Sequence, residues 1–116
     1  MSASTHCDVE ALLKKIPGHA STTWPQGERF VQAFRHGTMS VELYAPLNED
    51  PQTPHLQDEL YFVISGEGTF VHEGARVSVS TGSALFVPAG DHHHFEGFSS
   101  DFMTWVVFWG PEGGEH

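Results

Sequence analysis

Two stretches of the chain carry side chains that could do chemistry together. The first, TPHLQDELYFVISGEG (residues 53–68), holds His55 and Glu59, and the second, VPAGDHHHFEG (87–97), holds His92, His93 and His94 in succession. Imidazole and carboxylate are ligands of divalent transition metals, and imidazole also titrates near neutral pH. Spacing constrains how His55 and Glu59 can act. On one continuous strand they would lie about 13 Å apart, at about 3.3 Å per residue. A metal's bonds are only about 2 Å long, so no single ion holds both across that gap. They converge only if the chain turns between them, and Gln57-Asp58 is the place for that turn. His55 is then expected to end one strand and Glu59 to open the next. Taken alone, the pair also reads as a surface histidine and a rim carboxylate.

The elements around these residues decide where they point. In HHHF, strand alternation puts His93 and Phe95 on one face and His92, His94 and Glu96 on the other. A large aromatic such as Phe95 belongs inside, so His93 is the expected inward ring. By the same period, Glu59 shares a face with Tyr61, Val63 and Ser65, while Leu60, Phe62 and Ile64 take the other face. The segment from Arg29 to Trp109 repeats this pattern. Short strand-like runs alternate with glycine-bearing turns at Gly37, Gly66-Glu67-Gly68, Glu73-Gly74, Thr81-Gly82-Ser83 and Pro88-Ala89-Gly90. Spacing of about 8–12 residues between such turns predicts an all-β sandwich or barrel. The alternation places Phe30, Phe34 and His36 on one face against Val31 and Ala33. Ahead of the barrel, DVEALLKKIPG predicts one short helix with Asp8 as N-cap, Lys14 and Lys15 at its end and Pro17-Gly18 as its stop.

Composition bounds the function classes. The chain has 116 residues, enough for one compact domain. Its 15 acidic and 5 basic residues give a formal charge of −10, which argues against nucleic acid or an anionic membrane as partner. Cys7 is the only cysteine, so no intramolecular disulfide forms. A reducing, cytoplasmic setting fits that count and the absence of an apolar leader in the first residues. There is no Gly-rich phosphate loop before a helix, no G-x-S-x-G and no C-x-x-C. Trp24, Trp105 and Trp109 read as core or interface residues, and Glu49-Asp50 reads as a solvated turn.

The spacing of the two stretches resembles the paired motifs of the cupin superfamily, G(x)5HxH(x)3–4E(x)6G and G(x)5PxG(x)2H(x)3N. His55, Glu59 and Gly66 fall on the second half of the first motif, and Gly82, Pro88, Gly90 and His93 fall on the second without a gap. The resemblance implies an antiparallel double-stranded β-helix, or jelly-roll barrel. The N-terminal helix and loop (1–27) would pack on a barrel spanning 28–110, followed by a flexible tail (111–116). It also implies one divalent transition metal (Fe, Zn, Mn, Ni or Cu) held by His55, Glu59 and His93. Thr53 stands where the family has its first histidine, Leu47 where it has a leading glycine, and Gly97 where it has asparagine. The ligand set thereby shrinks to two histidines and one carboxylate, a triad associated with non-haem iron and dioxygen. Gln52 or Gln57 is the candidate extra donor. Tyr61 is the candidate catalytic group, as an acid or hydrogen-bond donor, or else a half-buried aromatic with its hydroxyl at a wet edge. The functional expectation is a metal-binding cupin, either a small-molecule enzyme of dioxygenase, isomerase or lyase type or a non-catalytic ligand- or metal-binding module. A homodimer is expected through the aromatic strand 102–109, with contributions from Phe30 and Phe34.

Overall fold

A computed structural model describes residues 5–116, so residues 1–4 of the expected N-terminal segment lie outside it. The described elements run α1 (Val9–Leu13), β1 (Phe30–His36), β2 (Met39–Tyr44), β3 (Asp58–Ser65), β4 (Glu67–His72), β5 (Ala75–Ser80), β6 (Ala84–Val87), β7 (His93–Glu96) and β8 (Met103–Trp109). The strands form two sheets, ordered β1-β2-β8-β3-β6 and β5-β4-β7, with every pairing antiparallel. From β3 onward the chain alternates between them. It passes from the larger sheet to β4 and β5, returns at β6, crosses to β7 and ends in β8. This alternation wraps the sheets around one core and makes the molecule an all-β jelly-roll barrel.

The core follows from the two-residue period. Register pairs Tyr61 on β3 with Val106 on β8 and Leu85 on β6, and pairs Phe70 on β4 with Phe95 on β7. The inward residues Tyr61, Val63, Phe70, Val79, Val87, Phe95, Phe102 and Val106 are all buried in one cluster. Phe95 lies at its centre, with ring centroids 5.1 Å from Tyr61, 5.0 Å from Phe70 and 4.9 Å from Phe102. The alternation fails in β1. A bulge between Gln32 and Phe34 shifts the register, so Phe34 pairs with Val41 on the face that Val31 shares with Leu43. Phe30, in contrast, packs against the core. The bulge therefore separates the two phenylalanines that strict alternation had placed together.

The N-terminal helix is shorter than the sequence predicts. It occupies five residues, and Asp8 takes the N-cap position without a side-chain capping bond. The Asp8 carboxylate instead lies 3.1 Å from His6 Nε2. Lys14 is the C-cap residue, so the last turn carries no base. Leu12 is buried where the helix packs on β2. The loop that follows folds back on itself: Gly18 N–H donates to Glu28 O and Glu28 N–H to His19 O, at 2.8 and 3.0 Å. Trp24, at its tip, packs edge-to-face against Phe30. Residues 111–116, expected as a flexible tail, lie against the barrel here. Gly113 N–H donates to Leu56 O at 2.7 Å, and Glu115 N–H donates to the Asp58 carboxylate at 2.9 Å.

Gly66 makes the sharpest demand on the backbone, at the crossing from β3 to β4. Its φ is +81°, and a Cβ there would come within 2.7 Å of Phe102 Cα and 2.6 Å of Ser99 Oγ. Both the left-handed backbone and the close approach exclude a side chain. Gly66→Ala is expected to destabilise the fold by more than about 1 kcal/mol, read as a lowered denaturant midpoint with an unchanged slope.

Candidate metal centre

Three chain segments bring the predicted ligands together. Glu59 enters from β3, His93 opens β7, and His55 comes from the long loop between β2 and β3. His55 is therefore a loop residue and does not end a strand. The chain bends at Leu56 and Gln57 before β3 begins at Asp58. Backbone bonds lock the parts in place. Gly90 N–H donates to His55 O at 2.8 Å, tying the loop to the turn before His93. Asp58 accepts from Ala89 N–H at 2.9 Å with one oxygen and from Glu115 N–H with the other. These two donors hold its carboxyl below the ordinary value.

The donor atoms of His55, Glu59 and His93 all lie within 4.8 Å of one another. His93 Nε2 is 2.8 Å from Glu59 Oε1, with both side chains essentially inaccessible to solvent. Even so, neither Glu59 oxygen has an aligned hydrogen-bond donor. A buried carboxylate in that state is costly unless a cation neutralises it. His93 directs Nδ1 at Asp91 O, 3.0 Å away. A carbonyl only accepts, so Nδ1 carries the hydrogen and Nε2 is the atom turned to the cluster. Metal-binding histidines are commonly oriented in this way. The donor set, the buried carboxylate and the fixed ring all fit a divalent transition metal.

The two rings differ electrostatically. Burial holds His55 below the ordinary histidine value, opposed by the charge of Glu59. Burial also pulls His93 down, but its contact with Glu59 and the Asp91 carbonyl together outweigh that effect and raise it. His55 is thus biased toward the neutral donor form, whereas a cation at His93 competes with a proton more strongly than at an ordinary imidazole.

Tyr61 is fully buried rather than half-wet. Its hydroxyl donates to Gln52 Oε1 at 2.8 Å and lies 3.1 Å from His93 Nε2. Burial, followed by the charges of Glu59 and Asp50, raises its pKa well above the ordinary value, which keeps the proton on and makes it a donor. Gln52 Oε1 is also 3.4 Å from His55 Nε2, so this amide lies beside the cluster. Gln57 spends its amide nitrogen on Thr38 O and Gly110 O, each at 2.9 Å, and ties strand ends together. Thr53 is exposed and outside the cluster. His92 is exposed, and His94 pairs with Glu96 at 3.1 Å.

Asp50 corrects the reading of a solvated turn. It accepts from the Tyr44 hydroxyl, from Gln52 Nε2 at 2.6 Å and from Phe95 N–H at 2.8 Å. A chain of contacts therefore runs from Tyr44 through Asp50, Gln52 and Tyr61 to His93. A cavity of about 520 Å³ opens onto this chain, lined in part by Trp24, Phe30, Glu42, Tyr44, His55 and Phe108. Glu42 was not expected here. Ser40, Glu42 and Tyr44 alternate with Met39, Val41 and Leu43, and it is the more polar set that lines the cavity. The alternation in β2 marks two sets of residues but does not say which of them faces inward.

A jelly-roll barrel with a His–Glu–His cluster, its Glu59 and His93 buried, beside an open cavity defines a small barrel protein with a candidate metal centre. Residues 40–109 match the family model of the cupin domain, and the chain belongs to that family. It is 42% identical over 85 residues to an uncharacterized protein of Streptomyces coelicolor, covering 72% of this chain and 81% of that one. It is 32% identical over 74 residues to the HTH-type transcriptional activator RhaS of Yersinia pestis, spanning 64% of this chain but only 27% of the regulator. Among solved structures, TT1209 from Thermus thermophilus superposes with a TM-score of 0.67 at 21% identity, over 97% of this chain and 100% of that one.

Glu42 generates a stability prediction for the metal-free protein. Burial, then repulsion by Glu59 and Glu28, raises its pKa from 4.5 to about 6. A carboxyl raised in the folded state favours folding below pH 4.5, and that contribution is lost as pH rises through 6. Ionised Glu42 thus costs stability at neutral pH. Glu42→Gln is expected to stabilise the chelator-treated protein by about 1–2 kcal/mol at neutral pH, discounted for partial exposure. That gain vanishes below the ordinary carboxyl range, as read from denaturation curves across pH.

Proposed function

We propose that this cupin holds one divalent transition metal on His55, Glu59 and His93 and uses it to act on a small molecule admitted through the cavity. The observation that carries this reading is the Glu59 carboxylate, 1% exposed and without an aligned donor, facing two imidazoles. When bound, such an ion supplies Lewis acidity and open coordination positions, on which dioxygenation, isomerisation and lyase steps all draw. The chain's own residues supply the rest. Tyr61 keeps its proton and offers a fixed hydroxyl beside His93. Gln52, held by Asp50, orients that hydroxyl. Phe108 packs edge-on against His55 at 4.9 Å and limits water beside that ring. A cavity of about 520 Å³ is of small-ligand size.

Elemental analysis of protein purified without nickel resin and supplied with transition metals tests this reading. Near-stoichiometric metal in the wild type is expected, with affinity reduced more than about a hundredfold in His55→Ala and in His93→Ala. Metal-free wild type after supplementation, or unchanged binding in both variants, would contradict it. A second reading is favoured by the similarity to part of RhaS: the barrel senses a small ligand without transforming it. Oxygen consumption or product formation across candidate diols and diketones separates the two. Turnover supports the enzyme, and ligand binding without turnover supports the sensor.

The outer face of the larger sheet supports a homodimer. Phe62 and Phe86 are 41% and 52% exposed, and Phe86 lies 6.2 Å from Trp109 between ring centroids. Phe34 is on the outward side of β1, whereas Phe30 lines the cavity and is unavailable for pairing. Sedimentation at micromolar concentration is expected to show a dimer that Phe86→Glu converts to monomer. A monomeric wild type would contradict the pairing.

A further inference from the structure

The outer half of the cavity has its own chemistry. Trp24 stands edge-on to Phe30 and to Tyr44, with centroids 6.0 and 6.1 Å apart and interplanar angles of 68° and 79°. The three rings therefore form adjoining walls of a box, and Phe108 lines the same cavity. Glu42 lies on the same inward face as Tyr44, two residues along β2. No lysine or arginine lines this space. Arg29 donates to Ala45 O and its charge acts on Tyr44, and Arg76 pairs with Glu96; neither is among the groups that shift Glu42. The charges that act on Glu42 most strongly, Glu59 and Glu28, are acidic as well. Aromatic faces attract cations through their quadrupoles, and a half-buried carboxylate adds a counter-charge. An anionic ligand head would be repelled by Glu42, and a neutral head would leave that carboxylate uncompensated.

We propose that the outer cavity, walled by Trp24, Phe30 and Tyr44 with Glu42 as counter-ion, selects a small organic ammonium head group. This rests on reading the cavity as the ligand chamber of the metal site, and it names the class of molecule that chamber admits. The cationic head sits among the rings while the remainder of the molecule extends toward His55 and Tyr61, which line the same cavity. Glu42 is then a specificity-determining residue.

Calorimetric titration with choline chloride and with 3,3-dimethylbutan-1-ol tests the proposal. The two probes share a shape, but carbon replaces nitrogen in the alcohol and removes the charge. Titrations are run at fixed ionic strength on the purified full chain, as isolated and after chelator treatment, with metal content measured on each sample. Choline is expected to bind at least about tenfold more tightly than the alcohol. Glu42→Gln should reduce that preference severalfold, leaving the part due to the rings, with the alcohol unaffected. Trp24→Leu should weaken choline binding independently, and far-ultraviolet circular dichroism confirms that both variants fold. Equal affinity for the two probes, no choline binding at millimolar concentration, or choline binding unchanged in Glu42→Gln would overturn the proposal. Metal bound stoichiometrically without choline binding refutes the head-group assignment alone. Choline preference in a protein that takes up no metal refutes the metal centre alone.

Discussion

The structure turns on one buried carboxylate. Glu59 is placed by β3 at the inner face of an apolar barrel, where water cannot reach it and no N–H is aligned to it. Such a carboxylate strongly favours an arrangement that brings positive charge to it. The surrounding order serves that end. His93 is turned by the Asp91 carbonyl so that Nε2 meets Glu59, and the loop carrying His55 is tied to the turn before His93 by the Gly90–His55 backbone bond. Asp58 fastens the same turn and the C-terminal segment to the start of β3. Segments distant in sequence are thereby held in register with little reliance on long side chains.

Asp50 supports the cluster through Gln52 and Tyr61. By accepting from Tyr44, Gln52 and Phe95 at once, it fixes the amide that receives the Tyr61 proton. It also extends the acidic character of the interior toward the cavity. Asp50, Glu59 and Glu42 lie in one connected region, and the cavity wall brings no basic side chain to balance them. A barrel of this polarity favours cations, the common ground of the proposed metal ion and the proposed ammonium head group.

Much of this was legible in the residues. Glycine punctuation and alternation predicted the strands from β1 to β8, and Phe95 beside His93 indicated which histidine of the triplet turns inward. The cupin motif spacing brought His55 and Glu59 to the same point. The rest depended on tertiary context. The β1 bulge moves Phe34 to the other face, and no residue type announces it. Glu42 alternates with the more apolar Met39, Val41 and Leu43, yet its own set is the one that lines the cavity. Asp50 resembled a turn residue because its partners, Tyr44 and Phe95, are distant or hidden in strands. Trp24 reads as a core or interface residue, whereas in the fold it lines the cavity.

The most direct test of the central claim is anomalous diffraction from crystals grown with a single added transition metal, recorded at that metal's absorption edge. The account predicts one strong anomalous peak within bonding distance of His55, Glu59 and His93. A refined interior with no peak, in which Glu59 is a protonated carboxylic acid hydrogen-bonded to His93, would contradict it.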